Sequence, residues 1–116
     1  MQDPFAINGE ITAQRATGAT QWLVENAPKI GTAKAEMQRA DNMLRVVKSL
    51  SIAASDAKTV GEREAEAYAS QRYQDAVNAL FEATRTYETL RSYQTAAQYV
   101  ADMWRSMNSA QKASRV

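Results

Sequence analysis

Apolar positions recur at helical spacing along most of the chain, and the longest run lies in its C-terminal half. The positions alternate in steps of four and three residues: Ala69, Tyr73, Ala76, Leu80, Ala83, Tyr87, Leu90, Gln94, Ala97, Ala101 and Trp104. A seam of this kind, sustained over about five heptads, is typical of a helix that packs lengthwise against another helix. The spacing predicts a helix over 71–110. Five larger side chains are predicted to be buried along its seam: Tyr73, Leu80, Tyr87, Leu90 and Trp104.

A second apolar flank widens this seam, and its members are Val77, Phe81, Tyr93, Val100, Met103 and Met107. A stripe of that width needs more than one partner helix. A helix over 71–110 would be roughly 60 Å long, whereas a compact domain of this chain length is roughly 30 Å across. We therefore expect an all-α fold, an elongated antiparallel helical bundle or hairpin with one long C-terminal helix, which dimerises through helix packing.

Three further helices are predicted upstream of this segment, at 8–27, 32–57 and 61–69. Asn8 is a candidate N-cap for the first, and its end is predicted at Asn26-Ala27-Pro28, because the residue before a proline is pushed out of the helical region. Its apolar face is formed by Ile11, Ala19, Trp22 and Leu23. The short third helix precedes a predicted bend near residues 69–72, and a single helix over 61–111 is the alternative.

The helix predicted over 32–57, with Thr32 as its N-cap, carries the widest apolar stripe upstream of residue 61. One set of positions is Met37, Ala40, Leu44 and Val47, and beside it run Met43, Val46, Leu50 and Ala54. Spacings of three and four predict that both sets are buried. Residues 1–6 and 112–116 are expected to be flexible, and the whole chain of 116 residues fits a single domain.

The composition argues against the usual forms of catalysis. The chain has no cysteine and no histidine, which excludes disulfides, Cys/His zinc sites and histidine general bases. It also lacks the glycine-rich loops that bind phosphate groups. Glu62, Glu64 and Glu66 form an acid cluster that could hold a divalent cation, but an acidic first helical turn favoured by the helix dipole is the preferred explanation. We expect no enzyme, no catalytic or metal site and no cofactor.

Charge and hydropathy give weaker indications. The net charge of +1 does not by itself indicate a nucleic-acid-binding protein. Lys34, Arg45 and Lys48 lie within one predicted helix and are candidate phosphate contacts, with an ordinary solvated face as the alternative. No apolar run reaches the roughly 20 residues of a membrane span, and the N-terminus does not have the pattern of a signal peptide. A cytoplasmic protein is the expectation.

Five side chains that fall off the seam are candidates for a partner-binding surface. They are Tyr68, Arg91, Tyr99, Arg105 and Met107. Tyrosine, arginine and methionine are enriched in protein interfaces, and methionine adapts to irregular partner surfaces.

The stretch over 61–106 resembles a family of small, helical, poorly characterised proteins of tailed bacteriophages and prophages. The shared features are an E-R-E-x-Y-A-like turn, an E-x-L-R motif, an Ala-Ala pair and a W-R-S ending. In this chain they fall on Glu62, Arg63, Glu64, Tyr68 and Ala69, on Glu88, Leu90 and Arg91, on Ala96 and Ala97, and on Trp104, Arg105 and Ser106. Glu66 and Ala67 are extra residues in the turn. The resemblance implies a phage or prophage early protein in the cytoplasm of a bacterial host, and no activity carries over.

Two functions are therefore weighed. The first is a non-enzymatic protein that forms a homo-oligomer and binds a host or phage protein, modulating it. The alternative is a nucleic-acid-binding accessory factor in phage recombination or replication. Neither reading involves a membrane or a small-molecule substrate.

Overall fold

The computed structural model describes residues 10–114, and that part of the chain is all-α. Helix α1 spans Ala13–Ala53, α2 spans Val60–Ala69 and α3 spans Gln71–Ser114. The predicted all-α class and the long C-terminal helix are confirmed, whereas dimerisation through helix packing stays a prediction. The break at residue 70 is confirmed as well, since α2 and α3 are separate helices.

The upstream half differs from the prediction, because one helix replaces the two expected at 8–27 and 32–57. Helix α1 continues through Pro28 and ends at Ala53. Proline removes one helical hydrogen bond, the one to the carbonyl four residues earlier, here that of Val24. Val24 is 71 % exposed, so water can supply the missing bond. The proline therefore costs helix stability at this point without ending the helix.

The start of α1 was also predicted too early. Residues 10–12 are not helical, and Asn8 lies outside the described residues. Thr12 is the cap: its hydroxyl accepts from the amide of Arg15 at 3.2 Å, and its carbonyl accepts from the amide of Ala16 at 3.0 Å. A threonine oxygen at this position satisfies an amide that has no partner within the helix.

Two hydroxyl caps explain the boundary between α2 and α3. The Thr59 hydroxyl accepts from the amide of Glu62 at 3.2 Å and starts α2. Ser70 has an extended backbone conformation, and its hydroxyl accepts from the amide of Tyr73 at 3.2 Å, which starts α3. The extended backbone at Ser70 is incompatible with helical dihedrals, so a continuous helix over 61–111 is ruled out.

Contacts along the chain group into two units, each built from parts of α1 and α3. Unit 1 comprises Met1–Ile30 and Glu88–Val116, and unit 2 comprises Gly31–Tyr87. The sequence predicted one domain over 1–116, and whether the two units unfold together stays a prediction.

Unit 1 is closed by an alanine-rich antiparallel contact. Ala19 of α1 packs with Ala97 and Val100 of α3, and these three side chains are fully buried. Trp22 lies against Tyr93, with ring centroids 6.1 Å apart. Later residues of α1 thus meet earlier residues of α3, which defines the antiparallel direction. Small side chains at the crossing let the two helix axes approach closely.

Unit 2 has a much thinner core. Among its described residues only Ala33 and Ala67 are buried. The inner set of the predicted stripe is half-buried, namely Met37, Ala40, Leu44 and Val47. The outer set was predicted to be buried and is instead exposed, namely Met43, Val46, Leu50 and Ala54. Helix α3 cannot cover both sets, because one helix contacts only one stripe of its neighbour.

Candidate protein-interaction surfaces

The protected face of α3 follows the predicted seam closely. Leu90 is buried, and the other four predicted seam residues are half-buried: Tyr73, Leu80, Tyr87 and Trp104. Ala97 and Ala101 on the same seam are also buried. Val100 was placed on the second flank, yet it is fully buried because it packs directly on Ala19. The seam is therefore the face that packs inside each unit.

Large apolar side chains are prominent on the surface instead. Those that are clearly exposed are Val24, Met43, Val46, Leu50, Val60, Tyr68, Phe81, Tyr99 and Met107. Six of the eight buried apolar residues, by contrast, are alanines. Proteins that act alone seldom expose a contiguous apolar patch, whereas interaction surfaces do. In both units, therefore, large apolar side chains lie outside and most of the buried ones are small.

A groove in unit 1 is a wide concave surface formed by described residues of α1 and α3. Its volume is about 940 Å³, and its walls come from both long helices. The floor consists of small side chains, namely Ala13, Ala16, Thr17, Thr20 and Ala101. Val24 and the half-buried Trp104 supply the larger apolar contacts. A floor of small residues lets the backbone of a docked element approach, as in complexes where a helix lies in a groove.

The rim of this groove is polar. Glu25 accepts a hydrogen bond from the amide group of Gln21 at 2.9 Å. Arg105 forms an ion pair with Asp102 at 2.6 Å. An apolar centre with a polar, solvent-accessible rim is the usual anatomy of a protein interface. Arg105 was one of the predicted partner-binding residues, and it lines this groove.

The five predicted partner-binding residues do not form one surface. Tyr68 belongs to unit 2, and the other four lie on α3 in unit 1. All five are exposed. Arg91 and Tyr99 are eight residues apart, and so are Tyr99 and Met107. Each of these steps rotates the side chain by roughly 80° around the helix. The four side chains on α3 therefore point in different directions, and only Arg105 reaches the groove.

Of the three candidate phosphate contacts, Arg45 and Lys48 already interact with other side chains, and an acidic residue lies between Lys34 and Lys48. Arg45 pairs with Asp41 at 3.3 Å, and the Lys48 ammonium lies over the Tyr68 ring, 4.9 Å from its centroid. Lys34 is exposed. Asp41 lies one heptad after Lys34 and one before Lys48, so a carboxylate stands in the middle of the basic strip. Phosphate binding along it stays a prediction, and this geometry disfavours it.

Lys48, Tyr68 and Tyr73 form a polar corner of unit 2. Tyr68 and Tyr73 meet edge to face, with ring centroids 5.1 Å apart. The hydrogen bond between Lys48 and the Tyr68 hydroxyl raises the pKa of Lys48 above 10.5, and the Glu64 carboxylate acts in the same direction. The amide group of Gln74 donates to the Tyr68 carbonyl at 3.0 Å. This corner links all three helices of unit 2.

The acid cluster of α2 serves local structure. The Ser55 hydroxyl donates to the Glu66 carboxylate, and the Glu62 amide donates to the Thr59 cap. Between residues 10 and 114 no three Asp, Glu, His or Cys side chains are grouped as a metal site. Nor is any helix in that range long and apolar enough to cross a membrane.

Comparisons with known proteins returned no match: no family model, no curated protein and no solved structure resembles this chain significantly.

Two features of the surface were missed from sequence. The unit 1 groove depends on which side of α3 packs beside the first turns of α1, which the pattern alone does not reveal. The exposure of Met43, Val46 and Leu50 was missed although a signal was present. Their spacing of three and four continues an unbroken repeat from Thr32, which marks a second face rather than a wider first face.

Proposed function

We propose that the chain is a non-enzymatic phage or prophage protein that binds a host or phage protein and modulates it. The observation that carries this proposal is that small side chains fill most of the core, whereas large apolar side chains lie on the surface. Alanines form most of the core, and large apolar side chains such as Val24 and Phe81 remain well exposed. Burying a side chain of that size is worth about 1.5–3 kcal/mol, so a partner that covers several of them gains binding energy.

The unit 1 groove is the proposed contact surface for this partner. Its occupant is an amphipathic helix of the partner, with its apolar side toward Val24 and Trp104. The floor of alanines and threonines suits such a helix because it leaves room for the incoming side chains. Arg105 and Glu25, on the rim, offer charges of both signs for orientation.

A capture experiment with a matched control tests the proposal. Wild-type protein, a groove variant and a control variant are used to isolate partners from lysate of the infected bacterial host, with quantitative mass spectrometry. The groove variant is Val24→Lys combined with Thr17→Arg, which places charge and bulk in the groove. The control is Gln98→Lys, an exposed change on α3 outside the residues that line the groove.

The expected result is a protein retained by wild type and by Gln98→Lys and lost with the groove variant. Circular dichroism should show equal helicity for all three chains. Retention of the same protein by all three would contradict the assignment of the groove. Recovery of no specific protein would contradict the proposed function.

A gel shift separates this reading from the alternative of a nucleic-acid-binding accessory factor. We expect no salt-sensitive complex with single- or double-stranded DNA at micromolar protein, because Asp41 interrupts the basic strip. A complex that weakens with salt and is lost on Lys34→Gln would favour the alternative.

A further inference from the structure

Unit 2 carries an uncovered heptad row on α1, which we call the outer row. Its members follow each other in alternating steps of four and three: Thr32, Glu36, Arg39, Met43, Val46, Leu50 and Ala53. Every member is exposed. Alternating steps of this kind mark a helix face that packs lengthwise on another helix. The C-terminal part of the row is apolar, with Met43, Val46 and Leu50 each about half exposed.

A second heptad row on α3, the alanine row, runs beside it. Its members are Arg72, Ala76, Ala79, Ala83 and Thr86. The two rows line one groove of about 300 Å³, to which the outer row contributes Glu36, Arg39 and Met43, and the alanine row contributes its three alanines. Long side chains on one wall thus stand beside methyl groups on the other.

We infer that this face of unit 2 is a self-association surface, covered by the same face of a second copy of the chain. A two-fold axis parallel to the helices places α1 of one copy opposite α3 of the other. Glu36, Arg39 and Met43 of each copy then lie on the alanines of its partner, so long side chains fill the space above alanines. Val46 and Leu50 lie at the level where the partner's α3 begins. A contact that uses one patch twice must be self-complementary, and two adjacent rows of opposite side-chain size meet that requirement.

The charges on the face are compatible with a second copy. Glu36 and Arg39 carry opposite signs within one turn of the outer row, and Arg72 is the only charge in the alanine row. None of the ion pairs in the described structure involves Glu36 or Arg39. Two such faces meet without a block of like charge, which would otherwise cost several kcal/mol.

The area of the face predicts a weak dimer. From Arg72 to Thr86 the alanine row is roughly 21 Å long, and two packed helices are roughly 20 Å across. The contact would bury about 400 Å² on each copy and about 800 Å² in total, which is below the size of standard interfaces. Self-association is therefore expected to be weak, with a Kd on the order of 100 μM, and not that of an obligate dimer.

Sedimentation equilibrium of the full chain tests this inference. The mass should rise with concentration from 12.8 kDa toward twice that value. Met43→Lys and Leu50→Lys should each weaken the dimer at least about tenfold, because each buries a charge in the apolar part of the contact. Phe81→Lys is the matched control: Phe81 is 66 % exposed but lines a different groove, together with Met37 and Leu80.

A disulfide-trapping experiment tests the pairing itself, which the absence of native cysteine makes possible. Chains carrying Met43→Cys and chains carrying Ala76→Cys are mixed and oxidised gently. The mixed disulfide should form in excess of its statistical share. A mixture of Phe81→Cys and Ala76→Cys chains should show no such excess.

Several results would overturn the inference. They are a monomeric mass up to near-millimolar concentration, a dimer unaffected by Met43→Lys and Leu50→Lys, or a dimer weakened equally by Phe81→Lys. A mixed disulfide at or below its statistical share would also overturn it. So would a monomeric wild type together with a partner protein whose capture Met43→Lys abolishes, because the face would then belong to that partner. The capture experiment with the unit 1 groove varies different residues, so failure of one proposal is distinguishable from failure of the other.

Discussion

Unit 1 and unit 2 are built from the same two long helices, yet they bury different amounts of apolar surface. Unit 1 encloses Ala19, Ala97 and Val100 completely and covers them with Trp22 and Tyr93. Unit 2 buries only alanines among its described residues. The seam on α3 has the same spacing in both. The difference lies on α1, which in unit 2 carries a second row of exposed apolar side chains, Met43, Val46 and Leu50.

This contrast shows that spacing predicts which side of a helix is apolar but not how much of it a neighbour covers. In unit 2 the inner face of α1, with Leu44 and Val47, is half-buried. The outer row stays exposed within the part of the chain that the structure describes. Unit 1 therefore encloses its own core, whereas unit 2 leaves exposed the apolar row that the proposed second copy would cover.

The largest expected effect concerns Pro28, through which α1 continues as one helix at the end of unit 1. Pro28→Ala should stabilise the chain by about 2–3 kcal/mol, because proline in an exposed helix interior is about 3 kcal/mol worse than alanine and restricts the unfolded chain in partial compensation. Gly31→Ala, at the start of unit 2, should add about 1 kcal/mol, since a methyl group there meets no atom within 4 Å.

Chemical denaturation followed by circular dichroism measures both changes. A Pro28→Ala variant no more stable than wild type would contradict a continuous α1 and would favour two helices separated at 27–32.

A second prediction compares a buried helix contact in unit 1 with an exposed helix position in unit 2. Ala97→Leu should destabilise the protein by about 1–3 kcal/mol, because a fully buried alanine at a helix crossing leaves no space for a larger side chain. Ala35→Leu, on the exposed side of α1 in unit 2, should change stability by less than about 0.5 kcal/mol. Thermal unfolding of the two variants checks this, and equal losses would contradict the contrast between the units.

The smallest effect concerns the polar corner of unit 2. Tyr68→Phe should lower the pKa of Lys48 toward 10.5, because the hydrogen bond to the hydroxyl is the main cause of its rise. The raised pKa means that this interaction stabilises the fold fully below pH 10.5 and that the contribution is lost as pH rises through the raised value.

An NMR titration of the Lys48 side chain measures the shift. An unchanged pKa in the Tyr68→Phe variant would show that the hydroxyl does not hold the ammonium.

Much of the architecture was predictable from the sequence for physical reasons. The seam from Tyr73 to Trp104 follows from side-chain periodicity, and the break at Ser70 follows from a hydroxyl that competes for the first amides of α3. The course of α1 was not predictable, because a local rule about Pro28 is outweighed by helix packing on both sides of it. The candidate surfaces were largely missed, because Arg91, Tyr99 and Met107 were grouped by residue type although helical rotation separates them.

The reactivity of two methionines in wild-type protein tests the central claim, that a second copy covers the outer row of unit 2, most directly. Met43 lies in that row and is 48 % exposed, and Met107 lies in unit 1 and is 39 % exposed. Their rates of oxidation by dilute peroxide are followed by mass spectrometry at low and high protein concentration. We predict that oxidation of Met43 slows at high protein concentration while that of Met107 does not change. Oxidation of both methionines at rates that do not depend on concentration would contradict it.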